Sequence, residues 1–398
     1  MQNNNGGTAV TQENTGCTVL IWPENRVDSG NSKRLDAMIE EAEKDMPEQE
    51  LIVDFGQVEY ISSAGLRVLL SAVRRRSRPV TVREVSPEVY DIMEMTGFST
   101  MLNVERRMRR ISIDGCEIVG AGGIGTVYRI DPDTIVKVFK KSYPLERVRE
   151  EQRLAKLAFM MGVPTAIPFD VVRVGDCYGS VFELVDARTL NDLLIEQPDH
   201  TDDVIRQYAD LVRTVRNIRA EPGELPSCRE KYLGRLDIIG DLLSDPLKER
   251  LRELLEAIPE SLNLVHGDFH MKNILLSKGE PVLIDMDMLG TGDAVFEYAG
   301  IYVTYKAFTE HEPDNSMKFY GISAELCDRV WNGITKLCID APDRQSAEKE
   351  MDRIVLAGNI RFLQLLVTMG RADDEIGRIR VNTAVERLNA VAWKTERL

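Results

Sequence analysis

The chain has 398 residues and a net charge of −15 at pH 7, with 43% hydrophobic and 29% charged residues. That length predicts two or three domains, and the acidic balance excludes a general nucleic-acid binder, whose phosphate contacts need clustered Lys and Arg. Six cysteines without CxxC spacing signal neither a zinc site nor a disulfide framework. No apolar run is long enough to span a membrane and no signal peptide is evident, so a reducing cytoplasm is the expected home.

Residues 1–16, with Asn3, Asn4, Asn5, Gly6 and Gly7, read as a disordered tail. The stretches 17–22, 51–55 and 79–85 read as short buried strands, rich in Val and Ile with turn residues at their edges. Between them lie helices: Leu35, Met38, Ile39 and Ala42 share one face, as do Leu66, Leu69, Leu70 and Val73. A third helix opens at Ser86 and Pro87, ends at Gly97, and turns Val89, Ile92 and Met93 inward. Strands alternating with helices imply an α/β layer fold over residues 17–110. Ser62 and Ser63 fall where the second helix begins. A serine there caps free amides, and a phosphate on it would bring roughly two negative charges to a helix end that favours anions. Two basic runs, Arg74, Arg75, Arg76 with Arg78 and Arg106, Arg107, Arg109, Arg110, read as solvated faces, the second lying at the domain junction.

From residue 111 the pattern changes. A strand-like run over 111–119 leads into Gly120, Gly122 and Gly125 with Val127, the spacing GxGxxGxV, and a second strand follows over 126–130. Glycines between two strands let backbone amides approach phosphates that a Cβ would exclude. A dinucleotide fold would instead turn from the glycines into a helix. The strand TIVKVF (134–139) carries one cation, Lys137, and a lysine in so apolar a setting needs a partner. The helix expected over 145–161 supplies it. Glu151 lies on its apolar stripe with Leu154 and Ala155, whereas Glu146 and Glu150 look more exposed. Glu151 is therefore the first choice of partner for Lys137 and Glu150 the second. The apolar strand VFELV (181–185) then leads to a connection where Glu183 and Val185 would offer backbone groups to an adenine.

The segment HGDFHMKN (266–273), followed by an apolar strand that ends in Asp285, carries the chemistry. Phosphoryl transfer from Mg-ATP requires that the acceptor hydroxyl be positioned, Mg²⁺ be held and phosphate charge be neutralised. Asp268 would accept or orient the acceptor's proton. Asn273 would hold a metal through its amide oxygen, and Asp285 would bridge metal to triphosphate, both being hard oxygen donors that suit Mg²⁺. His266 reads as a packed residue that fixes the loop by hydrogen bonds. Beyond Arg188 the chain is mostly helical, with stripes over 251–258, 347–368 and 383–393.

Residues 111–398 resemble the protein-kinase-like superfamily, in particular its aminoglycoside and choline kinase branch, whose catalytic loop reads HGD. The resemblance implies a bilobal fold, with a β-rich small lobe over 111–185 and a mostly helical large lobe over 186–398. ATP would lie in the cleft, with Asp268, Asn273 and Asp285 in the roles above. Met286 and Asp287 follow the metal acid in place of the Phe and Gly of protein kinases. Gly292 and Asp293 match the branch, but Glu297 stands where it carries a later Asp. Residues 17–110 resemble the STAS domain of anti-sigma-factor antagonists, through VDFGQVEYISSAGLRVLL (53–70) and VSPEVYDIMEMTGF (85–98). The family's phosphorylated switch serine falls at Ser63, with Ser62 in place of the Asp before it and Ala64 in place of the second Ser. The resemblance implies an anti-sigma-factor-like or kinase protein partner. Together these features predict an ATP- and Mg²⁺-dependent phosphotransferase with an unidentified hydroxyl substrate, regulated by or acting on its STAS domain. Two other readings stand beside it: a sigma-regulatory switch protein that binds nucleotide but turns over weakly, and a small-molecule kinase for amino alcohols or aminoglycoside-like acceptors.

Overall fold

The structure, a computed structural model, describes residues 7–13, 16–23, 25–45, 50–76 and 79–394. It divides into two compact units, residues 1–111 and 112–398. The first holds β1 (Gly7–Glu13), β2 (Gly16–Trp22), β3 (Arg26–Val27), α1 (Ser32–Asp45), β4 (Glu50–Asp54), β5 (Tyr60–Ile61), α2 (Ser63–Arg75), β6 (Val80–Val85), α3 (Pro87–Met95), β7 (Asn103–Arg106) and β8 (Arg109–Arg110). One sheet runs in the order β1-β2-β4-β6-β7. The pairs β2 to β4, β4 to β6 and β6 to β7 are parallel, as expected where each crossover contains a helix. Ile21, Leu51, Val53 and Val82 from the sheet meet Ile39, Leu69 and Met93 from the helices, all 0% exposed.

The tail expected over residues 1–16 is corrected over Gly7–Glu13. That segment is β1, antiparallel to β2 from Gly7 opposite Trp22 to Glu13 opposite Gly16. Thr8, Val10 and Thr11 favour extended backbone, and the neighbouring strand supplies hydrogen-bond partners that composition alone does not reveal. Residues 1–6, with Asn3 to Gly6, lie outside the described residues. In the basic runs Arg74, Arg75, Arg106, Arg109 and Arg110 are exposed, as expected of solvated faces, and two arginines also make ion pairs. Arg75 pairs with Glu43 at 2.8 Å and Asp36 at 3.1 Å, and Arg107 reaches Glu59 at 2.8 Å and the Phe55 carbonyl at 3.1 Å. Both act as ties within the unit.

Ser62 caps α2, its Oγ accepting from the Ala64 amide at 3.2 Å, while Ser63 is the first helical residue and is exposed. The two serines thus divide the labour that the sequence left open. Ser62→Ala is expected to cost the first unit about 1 kcal/mol and Ser63→Ala far less. Urea unfolding of the two variants measures the difference, and equal midpoints would contradict the assignment.

The second unit opens with β9 (Glu117–Ala121), β10 (Gly125–Asp131), β11 (Thr134–Phe139), α4 (Leu145–Met160), β12 (Pro168–Val174) and β13 (Cys177–Glu183). These strands lie in the antiparallel order β12-β13-β11-β10-β9. The strand expected over 111–119 is displaced: regular pairing begins at Glu117 and includes Gly120, which lies opposite Val127. After β14 (Arg188–Thr189) come α5 (Leu190–Glu196), α6 (Thr201–Arg216), α7 (Cys228–Ile238) and α8 (Asp245–Glu256). Then follow β15 (Leu264–Val265), β16 (Ile274–Ser277), β17 (Glu280–Leu283), β18 (Gly290–Thr291) and α9 (Ala294–Tyr302). The chain closes with α10 (Asp314–Tyr320), α11 (Ala324–Cys338), α12 (Arg344–Thr368) and α13 (Glu375–Ala392). One apolar core runs through the helical part and includes Tyr208, Phe269, Ile301 and Leu363. Among the described residues no helix is long and apolar enough to cross a membrane.

Candidate active site

Two short ladders hold the candidate catalytic loop by its ends. β15 pairs with β18 just before His266, and β16 pairs with β17 just after Asn273, so residues 266–273 and 284–289 are brought side by side. The Ile284 amide closes the gap by donating to the Asn273 carbonyl at 2.9 Å. Between these ends the loop is pinned from the core. Tyr208 donates its hydroxyl to the Phe269 carbonyl, and the Tyr305 hydroxyl accepts from the Met271 amide at 3.0 Å.

His266 is fully buried. Its Nε2 lies 3.2 Å from the Ile284 carbonyl and its Nδ1 accepts from the Asp268 amide at 3.3 Å. That pairing needs one protonated and one bare nitrogen, the neutral ring. Burial pushes the imidazole pKa down, which keeps it neutral. Gly267 has φ +82 and an added Cβ would sit 3.1 Å from the Met288 carbonyl, so the tight turn before Asp268 requires glycine.

Asp268 faces two basic side chains: Arg361 Nη2 at 3.4 Å from Oδ1 and His270 Nε2 at 3.5 Å from Oδ2. Burial works to raise its pKa, but the hydrogen bond and charge of His270 and the charge of Arg361 outweigh it and hold the carboxyl well below its ordinary range. Asn273 is buried and spends its Nδ2 on the Asp268 carbonyl at 3.1 Å. The amide's other end, Oδ1, is thereby left for another partner.

Asp285 has φ +68, an uncommon conformation for a residue with a side chain. Its Oδ1 lies 3.1 Å from Lys137 Nζ, which in turn lies 2.7 Å from Glu151 Oε1. Lys137 comes from β11 and Glu151 from the buried face of α4, while Glu150 is exposed and bonds Arg153. The helical stripe therefore selects the glutamate. Burial works to lower the Lys137 pKa, and the charges of Asp285 and Glu151 raise it instead, so the ammonium stays protonated. Asp287, passed over in the sequence, has its pKa pushed up to about 7 by burial and by the charges of Asp285 and Glu151.

The glycine loop is the hairpin turn between β9 and β10, with the Gly122 amide donating to the Gly125 carbonyl at 2.9 Å. Its glycines are not equivalent. A Cβ at Gly125 would lie 2.4 Å from the Val138 carbonyl, so this glycine serves strand packing, whereas at Gly122 the nearest atom would be 3.9 Å away. Val127 pairs with Lys137 across the ladder. Of the backbone groups of Glu183, the amide donates to the Ile167 carbonyl at 2.9 Å and is not free for an adenine. β13 continues as sheet through Glu183, and the first position past it without a backbone bond among the described residues is Val185.

Sequence reasoning missed Arg361. It stands alone among Ile360, Phe362 and Leu363 on α12 and is buried, the same signal of one cation in an apolar element that singled out Lys137. Its Nη1 donates to the Gly267 carbonyl. Glu297, which the sequence marked only as standing in place of the branch's later Asp, is fully buried on α9 and accepts from the His266 amide at 2.7 Å and the Gly267 amide at 3.0 Å.

Comparison with known proteins places both units in families. The family model described as the phosphotransferase enzyme family matches residues 115–330, and that of the STAS domain matches residues 8–110. The candidate anti-sigma factor antagonist BtrV of Bordetella bronchiseptica is 35% identical over 81 residues, which cover 20% of this chain and 69% of that protein. Among solved structures, a thermostable mutant of aminoglycoside phosphotransferase APH(4)-Ia aligns with a TM-score of 0.48 at 13% identity, over 71% of this chain and 97% of that one. The GDP complex of aminoglycoside 2'-phosphotransferase-IIIa aligns with a TM-score of 0.44 at 17% identity, over 77% and 98% respectively.

Proposed function

The chain belongs to the phosphotransferase enzyme family, and from that premise we propose that its second unit transfers the γ-phosphoryl group of Mg-ATP to the hydroxyl of an acceptor, with the STAS domain as its regulatory or docking module. The observation that carries this reading is Lys137, which lies between Glu151 and Asp285 and so links the small-lobe sheet to the positive-φ residue two positions past the end of β17.

In the reaction the acceptor oxygen bonds to the γ-phosphorus, the bond to the β–γ bridging oxygen breaks, and ADP leaves with that electron pair. Asp268 takes the hydroxyl proton. A strong base is not required, because the transition state is loose and the hydroxyl becomes acidic only as its bond to phosphorus forms. A carboxyl held at low pKa is thus suited to orient the hydroxyl and receive its proton late. Lys137 holds the α and β phosphates, and the open glycine loop lets amides reach the phosphates. Asn273, with Oδ1 turned from the Asp268 carbonyl, and Asp285 are the hard oxygen donors that Mg²⁺ takes, and the bound ion would neutralise phosphate charge. No three His, Cys, Asp or Glu among the described residues are placed to hold an ion, so phosphate oxygens and water would complete its shell.

Ser63, exposed at the start of α2, is the candidate modification switch of the STAS domain, and an anti-sigma-factor-like protein or a kinase is the partner class it implies. Incubation with γ-labelled Mg-ATP followed by mass mapping tests both parts. Label on Ser63 makes the STAS domain an acceptor, and label on an added alcohol alone makes it a sensing module. Lys137→Met is expected to raise the nucleotide KM by tenfold or more without loss of the folded melting transition. Wild-type turnover in that variant would remove the support for the reading.

A further inference from the structure

Between α7 and α12 the second unit gathers buried basic groups and hydrogen-bond donors, several of which have no carboxylate or hydrogen-bond partner. Arg235, on α7, is 8% exposed, and its guanidinium carbon lies 4.2 Å from the centre of the Tyr232 ring. The groups that act on it are Tyr232, Cys228 and a second guanidinium, Arg361, with no carboxylate among them, and burial pushes its pKa down. Tyr232 is buried and its hydroxyl has no hydrogen-bond partner. Arg361 is buried, and while its Nη1 donates to Gly267 and its Nη2 lies near Asp268, its Nε has no partner either. Glu297 is near Tyr232, but its two oxygens are taken by the His266 and Gly267 amides. One turn before Arg235, Lys231 donates to the Met288 and Leu289 carbonyls at 2.9 and 3.0 Å, so it too lacks a carboxylate at hydrogen-bonding distance.

A buried guanidinium without a counter-charge is costly, and so is a buried hydroxyl without a partner. The planar fork of Arg matches carboxylate and phosphate oxygens in particular. We infer that Arg235, Tyr232 and Arg361 form an oxyanion subsite that holds a carboxylate or phosphate group of the acceptor alcohol beside Asp268. This rests on the phosphotransferase reading and narrows its substrate class. A cationic acceptor placed here would meet two guanidinium groups of like charge, whereas an anionic one completes the donor set. Arg361 links the two sites, one edge of its guanidinium on the catalytic loop and its Nε free for the acceptor.

The test separates binding from turnover. The full chain, saturated with Mg²⁺ and AMP-PNP so that the nucleotide phosphates are occupied, is titrated with inorganic phosphate by calorimetry. One phosphate site is expected, weakened at least tenfold by Arg235→Met and by Tyr232→Phe, with Arg235→Lys in between. Tyr232→Phe keeps the ring and removes only the hydroxyl, so it remains informative if the arginine variant does not fold. Equal affinity in wild type and Tyr232→Phe, or no phosphate uptake, overturns the proposal. Labelled Mg-ATP with glycerate, glycerol 3-phosphate or ethanolamine then identifies the source of the oxyanion. Transfer to glycerate or to glycerol 3-phosphate, with a KM raised at least tenfold in Tyr232→Phe, assigns carboxylate or phosphate, and transfer to ethanolamine alone overturns the subsite. If ATP is not turned over at all, the phosphotransferase reading fails while the titration still decides whether the subsite exists.

Discussion

Asp268→Asn is expected to lower kcat by about 10²- to 10⁴-fold, the span that a positioned proton acceptor contributes, while nucleotide affinity stays within a few-fold of wild type. The substitution keeps the size of the side chain and leaves an oxygen for Arg361 Nη2, 3.4 Å away in the wild type. What it removes is the charge and the capacity to take the hydroxyl proton. Steady-state turnover and calorimetric titration of the nucleotide measure the two quantities separately, and a kcat within tenfold of wild type would take Asp268 out of the chemistry. The pH dependence gives an independent check. Because His270 and Arg361 hold the Asp268 carboxyl below its ordinary range, it remains ionised as pH falls from 7 to 5. Any acid limb of kcat/KM in that range therefore belongs to another group. A limb that shifts with Arg361→Lys would show that Asp268 titrates there.

Why some of this was legible in the sequence and some not follows from the range of the interactions. The Lys137 to Glu151 pair could be found because both residues break an apolar pattern of short period, one in a strand and one on a helical stripe. The catalytic loop was legible because its acid, amide and second acid lie within twenty residues of one another and in a fixed order. Arg361 gave the same kind of signal but lies 93 residues beyond Asp268, and nothing in a single sequence pairs two residues at that distance. β1 was hidden for a related reason: its polar, Asn- and Gly-flanked composition reads as a tail, and its order comes with pairing to β2. The availability of the Glu183 amide was likewise undecidable, since it depends on where Ile167 lies across the sheet. Backbone partners across a sheet are set by register, which one strand does not encode alone.

Glu297→Ala is expected to destabilise the second unit strongly. Glu297 is 0% exposed and binds the two consecutive amides of His266 and Gly267 at 2.7 and 3.0 Å, so it holds the turn that presents Asp268. In the branch that this unit resembles an aspartate stands at this place. The longer side chain still reaches both amides. Removing it leaves two buried donors without partners, at about 1–3 kcal/mol each, so a loss on the order of 3–5 kcal/mol is expected. For a unit of this size that corresponds to a fall in Tm of roughly 10 °C. Glu297→Gln preserves volume but turns an NH2 towards one of the two amide hydrogens, so it should recover less than half of the loss, and turnover should fall further than stability because Gly267 and Asp268 are displaced together. Thermal melting alongside kcat for both variants reads this out, with hydrogen exchange at the Gly267 amide as the local probe. Unchanged protection of that amide in Glu297→Ala would mean that the loop is held by Tyr208, Tyr305 and Arg361 alone.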